Sequence, residues 1–470
     1  MLSLRTTIFF AVLVAVAHAT MVVKEPNTAL PAGSKHYKSL GKSKPADVVN
    51  IVVMLQHTEK QRALLEETFF AVSDPTNEHY GEHLTQSQVT KLVQNDRYEE
   101  VVSWLRRHGA KRIEVGVHKD LVEADLTVEN AEKLLHTEFH VFQHSVVPTV
   151  QLHRAVRDYS VPTQLDDVIS IVGNVVRFPA INLPVVGTGD AEGAPTSTAW
   201  PQDCKGCGTN KVTPGVLAAR YGFPTKPVAN AKGSLAVAEF QGQAWDQSDV
   251  AKFTSSCGLE NYTVDHPINA PQSAACKIPV LGVQFCGEAL LDIEYALAVA
   301  AGIPLTDINL KVFSLLNWAK EVSAMPDGKV PLIHSVSYGN DEVQQTGIPY
   351  MLSVNVEFQK LGVRGISVLF ASGDQGVMGR SGGGARFHPD FPAASPYVTA
   401  VGGTDFATAT TIGDEKAWVD GGGGFSDTFG IPSYQKAAVE NYIKTATGLP
   451  PQTYWNSTGR GYPDIAALAG

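Results

Sequence analysis

The chain has 470 residues, of which 44% are hydrophobic and 18% charged, with 42 glycines and 27 prolines. That is a loop-rich, core-forming composition long enough for more than one domain, and it excludes a disordered or coiled-coil protein. The formal net charge of −10 excludes nucleic acid as the main partner, since an acidic chain cannot displace phosphate counterions over a broad face.

Residues 1–19 read as a secretory signal peptide. Arg5 supplies the positive end, Ile8 to Val16 a short apolar run, and Ala17-His18-Ala19 a small-x-small cleavage site. The run is too short to span a bilayer and no later stretch is long enough. The sequence therefore predicts a protein with no membrane span, carried by the secretory pathway and either secreted or delivered to a lysosome or vacuole. The sequons Asn261-Tyr-Thr263 and Asn456-Ser-Thr458 agree with that route.

Residues 20–182 read as a small α+β unit. Alternation predicts strands over 48–55, 113–117, 121–126 and 170–176, and helical spacing predicts helices over 59–72, 85–93, 98–108 and 128–135. This is compatible with a two-layer fold of ferredoxin-like type. His79-Tyr-Gly-Glu82-His83 fits a zinc-peptidase pattern, but Gly81 between the histidines argues against the stable helix that metal binding needs. It reads as a coincidental loop.

Residues 183–210 lose all periodicity and read as an exposed linker where maturation cleavage would fall. Cys204-Lys-Gly-Cys207 has redox spacing, yet this context favours a structural bridge. With Cys257, Cys276 and Cys286 the cysteines number five, so one thiol is free or has a partner elsewhere. From residue 211 to 470 strand and helix alternate. Strands are predicted over 234–240, 308–316, 332–337, 365–371 and 398–401, with helices over 247–256, 288–301 and 350–361. Such alternation indicates a doubly wound α/β domain, whose sites lie at the C-terminal ends of its strands.

Two places in that domain carry chemistry. Glu288-Ala-Leu-Leu-Asp292 puts two carboxylates on one face of an apolar helix, where they repel, and no Lys or Arg stands nearby to solvate the face. Val368-Leu-Phe-Ala-Ser372-Gly373-Asp374 delivers an aspartate to the end of an apolar strand inside a glycine-bounded turn. The bland readings are dipole-stabilised acids in a first helical turn and a capping or turn aspartate.

These pieces resemble the sedolisin, or serine-carboxyl peptidase, family. So do Ser335-Val-Ser-Tyr-Gly339, Phe391-Pro-Ala-Ala-Ser-Pro-Tyr397, Val401-Gly-Gly-Thr404, Gly422-Gly-Gly-Phe-Ser426 and Gly461-Tyr-Pro-Asp-Ile-Ala-Ala467, all in the family's order. Ala71-Val-Ser-Asp-Pro75 with His79-Tyr-Gly81 resembles the family's propeptide. The resemblance implies an α/β subtilisin-like peptidase domain, incomplete at its C-terminus, preceded by an α+β ferredoxin-like activation propeptide that inhibits it intramolecularly. It implies an acid-acting peptidase precursor whose partners are peptides or unfolded proteins, either releasing tripeptides from N-termini or cleaving internally. Glu288 would be the general base, Asp292 its orienter through a shared proton, and Asp374 the oxyanion donor. A carboxylate base suits acid pH because it still accepts a proton where histidine is already charged.

The family's nucleophile lies in a Gly-Thr-Ser-x-Ser stretch, and its calcium site lies further on. Neither matches anything up to Gly470, so the expectation is a chain cut short before the serine and inactive alone, with calcium expected only in a longer protein. Ser372 reads as part of the Asp374 turn. The rival reading is a non-catalytic product that binds peptides or partners. A Ser-His-Asp subtilisin ranks below both, as no histidine here sits in a His-Gly-Thr context.

Overall fold

The computed structural model describes residues 20–26, 32–181, 201, 203–205, 211–228, 232–269, 279–280, 283–284, 286–345, 347–408 and 412–469. The signal segment, most of the predicted linker, Cys207 and Cys276 lie outside them.

In the N-terminal unit four strands, β1 (Val48–Leu55), β2 (Arg112–Val115), β3 (Leu121–Thr127) and β4 (Ile169–Gly173), form an antiparallel sheet in the order β2-β3-β1-β4. Helices α1 (Glu59–Ser73), α2 (Gln86–Val93) and α3 (Tyr98–Arg107) fill the first crossover, and α4 (Val128–Leu135) fills the second. This is the β-α-β-β-α-β arrangement of ferredoxin-like folds. Thr58 and Thr85 start α1 and α2 with reciprocal capping boxes to Gln61 and Gln88. An additional antiparallel sheet of Tyr37–Lys42, Phe139–His144 and Gln151–Ala155 has no counterpart in the predicted elements. Its strands interleave His, Gln and Arg with apolar residues, which blurs the alternation.

The two faces of β1 serve two cores. Ile51, Val53 and Leu55 pack with Leu105 and Leu134 inside the N-terminal unit. Val52 and Met54, with Leu121 and Ile171, face the other way and pack with Phe313, Leu316, Trp318 and Phe358 of the C-terminal unit.

The C-terminal unit contains β5 (Leu235–Phe240), β6 (His266–Ile268), β7 (Leu305–Leu310), β8 (Ile333–Val336), β9 (Ser367–Ala371) and β10 (Thr399–Phe406). They run parallel in the order β6-β7-β5-β8-β9-β10. At the far edge β10 pairs antiparallel with β11 (Glu415–Ala417) and parallel with β12 (Ile465–Leu468). Helices α5 (Pro214–Tyr221), α6 (Gln247–Ser256), α7 (Gly287–Val299), α8 (Leu315–Ala324), α9 (Ile348–Val363) and α10 (Lys436–Thr445) accompany the sheet. Strand order reverses about β5, so the chain opens a crevice at the C-terminal ends of β5 and β8.

The predicted strand 308–316 is corrected. Its first three residues belong to β7, whereas Leu315 and Leu316 begin α8, which Ser314 caps by accepting from Asn317 N at 3.4 Å. One apolar run spans a strand end and a helix start, and periodicity over so short a stretch cannot divide them. The predicted strand 398–401 extends to Phe406 because β11 and β12 pair with its second half. Cys204 bonds to Cys257 at the end of α6, and Cys286 is disulfide-bonded as well.

The seam between the units is also polar. Lys360 of α9 lies 2.7 Å from Asp120 Oδ2 and 2.7 Å from Glu357 Oε1, all three side chains at most 2% exposed. Phe69 stands edge-on to Tyr397, 5.2 Å between ring centroids, and a Cβ on Gly362 would fall 2.2 Å from the Phe69 ring. No described helix is long and apolar enough to cross a membrane.

Candidate active site

Helix α7 starts after Cys286, which places Glu288 in its first turn and Asp292 one turn later on the same face. Ser337, one residue past β8, lies against both: its hydroxyl donates to Asp292 Oδ1 at 3.0 Å and hydrogen-bonds Glu288. Strand β9 ends in the Ser372-Gly373 turn, and Asp374 emerges near enough for its charge to act on Glu288. The fold therefore gathers all three acids singled out in the sequence.

The turn that presents Asp374 is clamped by backbone. Ser372 N donates to Val401 O at 2.9 Å, Ser372 Oγ to Gly422 O at 2.8 Å, and Gly422 N to Gly373 O at 2.6 Å. A Cβ on Gly422 would lie 2.0 Å from Ser372 O, so only glycine permits this approach. Ser372 is thus spent on holding the turn.

Behind the pair lie two further acids that sequence reasoning missed. Glu239 of β5 is fully buried, lies near enough to Asp292 for that carboxylate's charge to act on it, and accepts from the Tyr338 hydroxyl at 3.0 Å. Asp307 of β7, also fully buried, accepts from Trp245 Nε1 at 2.8 Å. The only signal in the sequence was one acid set in each apolar strand. Glu239 Oε1, Asp292 Oδ2 and Asp307 Oδ1 are buried without a hydrogen-bond partner, as expected where carboxyl groups carry protons among themselves rather than face cations.

Electrostatics agree with that reading. Burial, then the negative charges of Asp292 and Asp374, pushes Glu288 up to about 8. Burial raises Asp292 and Asp307 to about 6 each, and burial with neighbouring acids holds Glu239 well above the carboxylate range. Asp374 is raised by burial, with Arg380 opposing. Arg380, also missed, is the cation of the site; its Nε lies 3.9 Å from Asp390 Oδ2, and its main-chain N donates to Asp341 Oδ1 at 2.9 Å. Neighbouring carboxyls lose protons in two steps, and with both groups raised at least one proton stays on the Glu288–Asp292 pair through the acid range.

The zinc-like pattern does not assemble. His79 Nδ1 pairs with Glu82 Oε2 at 2.9 Å in a run of exposed turns. Among the described residues no group of three His, Cys, Asp or Glu side chains is placed to hold a metal.

Residues 35–178 match the family described as Pro-kumamolisin, activation domain. Tripeptidyl-peptidase 1 of Mus musculus is 34% identical over 465 residues, covering 94% of this chain and 76% of the relative. The Homo sapiens protein of the same name is 34% identical over 471 residues with the same coverage. A solved Pseudomonas sedolisin (serine-carboxyl proteinase) covers 57% of this chain and 71% of that one at 22% identity, with a TM-score of 0.41, a likeness too slight to bear on the fold. The chain belongs to the sedolisin family of serine-type peptidases, is similar within it to tripeptidyl-peptidase 1, and carries the family's N-terminal activation domain.

Proposed function

We propose that this chain is the precursor of an acid-acting serine peptidase in which Glu288 is the general base, Asp292 its orienter and Asp374 the oxyanion donor. The observation that carries the reading is the contact of the Ser337 hydroxyl with Asp292 and Glu288 on one helical face, beside a raised Asp374. Glu288 would take the proton of an attacking serine in the form of the pair whose shared proton has moved to Asp292. Asp374, neutral at acid pH, would donate to the oxyanion, which only a protonated carboxyl can do. The hydroxyl itself is expected in the family's Gly-Thr-Ser-x-Ser stretch, which does not occur among the 470 residues.

The substrates would be peptides or unfolded proteins, and release of N-terminal tripeptides is the mode suggested by the name of the similar relatives. The N-terminal unit would hold the enzyme latent until cleavage within 183–210, on a route leading out of the cell or to a lysosome or vacuole. Calcium is expected for a longer protein, and no step is assigned to it.

The test is Glu288→Gln in the active peptidase. It should lower kcat by about 10⁴-fold with the fold intact; unchanged turnover would discard the assignment. The alternative is a protein that binds peptides without turnover. It predicts saturable peptide binding and no hydrolysis by the gene product as cells make it.

A further inference from the structure

Arg177-Phe178-Pro179-Ala180 lies across the C-terminal ends of β5 and β8 and is gripped there as a strand would be. The fully buried Asn340 uses both ends of its amide on this tail: Nδ2 donates to Phe178 O at 3.2 Å, and Oδ1 accepts from Ala180 N at 2.8 Å. Contacts to residues two apart are the spacing of an extended peptide. Gln241 Nε2 completes the set by donating to Ala180 O.

The tail's side chains alternate between the units. Phe178 turns back against Tyr37, Phe142 and Leu152 of the N-terminal unit. Arg177 points into the C-terminal unit, where its guanidinium lies 4.9 Å from the ring centroid of Phe313 and 4.9 Å from that of Tyr350. Its Nε donates to Gln345 Oε1 at 3.0 Å. Two aromatic faces and a fixed acceptor suit a flat guanidinium better than a compact ammonium.

The position ties this grip to the chemistry. Gln241 stands two residues beyond Glu239, and Asn340 three beyond Ser337, so adjacent strands build both the acid cluster and the peptide clamp. Main-chain contacts accept any sequence, whereas the aromatic socket selects. We propose that Gln241 and Asn340 are the main-chain clamp, and Phe313, Gln345 and Tyr350 the guanidinium socket, of a peptide-binding subsite. In the precursor it is filled by the chain's own Arg177 to Ala180; in the freed enzyme it takes an extended peptide carrying arginine. Its use in catalysis rests on the peptidase reading above, but its capacity to bind does not.

The full chain carrying Arg177→Ala and Ala180→Pro loses the tail's cation and its N–H donor, while Lys360 and Asp120 still dock the N-terminal unit. A fluorescein-labelled peptide with the sequence of residues 175–181 is then titrated by anisotropy. Saturable binding to this variant is expected, with about tenfold weaker binding to the unsubstituted chain, whose own tail competes. Replacing the peptide's arginine by citrulline, or adding Asn340→Leu or Gln345→Leu, should each weaken binding about tenfold. If the double variant does not fold, Arg177→Ala alone opens the socket and is titrated in the same way. A folded variant that shows no saturable binding overturns the proposal, as does binding indifferent to citrulline and to both added substitutions. Glu288→Gln should leave the peptide's affinity unchanged, so failure of the catalytic assignment and failure of the subsite give different results.

Discussion

At the seam between the units, Asp120 and Glu357 are buried beside a cation, Lys360. At the C-terminal ends of β5 and β7, Glu239 and Asp307 are buried beside other acids. Burial pushes the Asp120 carboxyl up, but Lys360 and His57 more than offset it and hold the group below the usual carboxylate range. Glu239 meets the same burial with Asp292, Asp307 and Glu288 as neighbours and rises instead. One cluster contains an ammonium, and the other is neutralised by protons. Charge in the first fastens two units together; protons in the second can be moved, which is what proton transfer requires.

Removing the ammonium should have the largest effect. Lys360→Met leaves Asp120 facing Glu357 with only His57 beside it and should destabilise the chain by about 3–5 kcal/mol in urea denaturation. Replacing Lys360, Asp120 and Glu357 together by apolar residues should cost far less, because no unpaired charge is left behind. A single-substitution cost under about 1 kcal/mol would mean that charge does not hold the seam.

The pH dependence of stability comes next, and its sign differs between Asp120 and the acids around Glu239. The acids around Glu239 ionise near pH 4 when unfolded but keep protons to about 6 (Asp307) or about 8 (Glu288) when folded. Between those limits the folded state binds more protons, so stability falls as pH rises. Asp120, held low, contributes stability that is present above its unfolded value and is lost only as pH drops below it. Asp307→Asn should flatten the fall between pH 4 and 7 by on the order of 1–3 kcal/mol, read from urea midpoints at several pH values. A stability that instead rose across this range would break the comparison.

A smaller effect is expected from Asp292→Asn, which removes the negative neighbour that acts most strongly on Glu288 but not its burial. The Glu288 carboxyl band in the infrared should then lose its proton about one pH unit lower. Smallest of all, Tyr338→Phe deletes one hydrogen bond to Glu239 and should cost about 1 kcal/mol in stability.

These differences also explain what could be read from the sequence. Helix α6 fell at 247–256 as its spacing predicts, and the acids on α7 stood out because like charges four apart need a reason. Asp374 was legible from the strand that delivers it. Glu239 and Asp307 were not, since a single acid in an apolar strand carries no period, and only strand register reveals what it faces. Arg380 was invisible for a related reason, and the Gly422 stretch stood out only as part of the family resemblance: their contacts are made across distant turns, by backbone as much as by side chain.

The alternation of β1 between two cores has one more consequence. Val52 and Met54, with Leu121 and Ile171, complete a cluster otherwise built in the C-terminal unit, and Ile51 and Val53 complete a cluster within the N-terminal unit. A strand whose alternate residues belong to separate cores cannot melt from one and stay in the other. The cooperative unit of the precursor is therefore larger than either segment of sequence, and its thermal unfolding should appear as one transition across a boundary that the chain's composition marks as two domains.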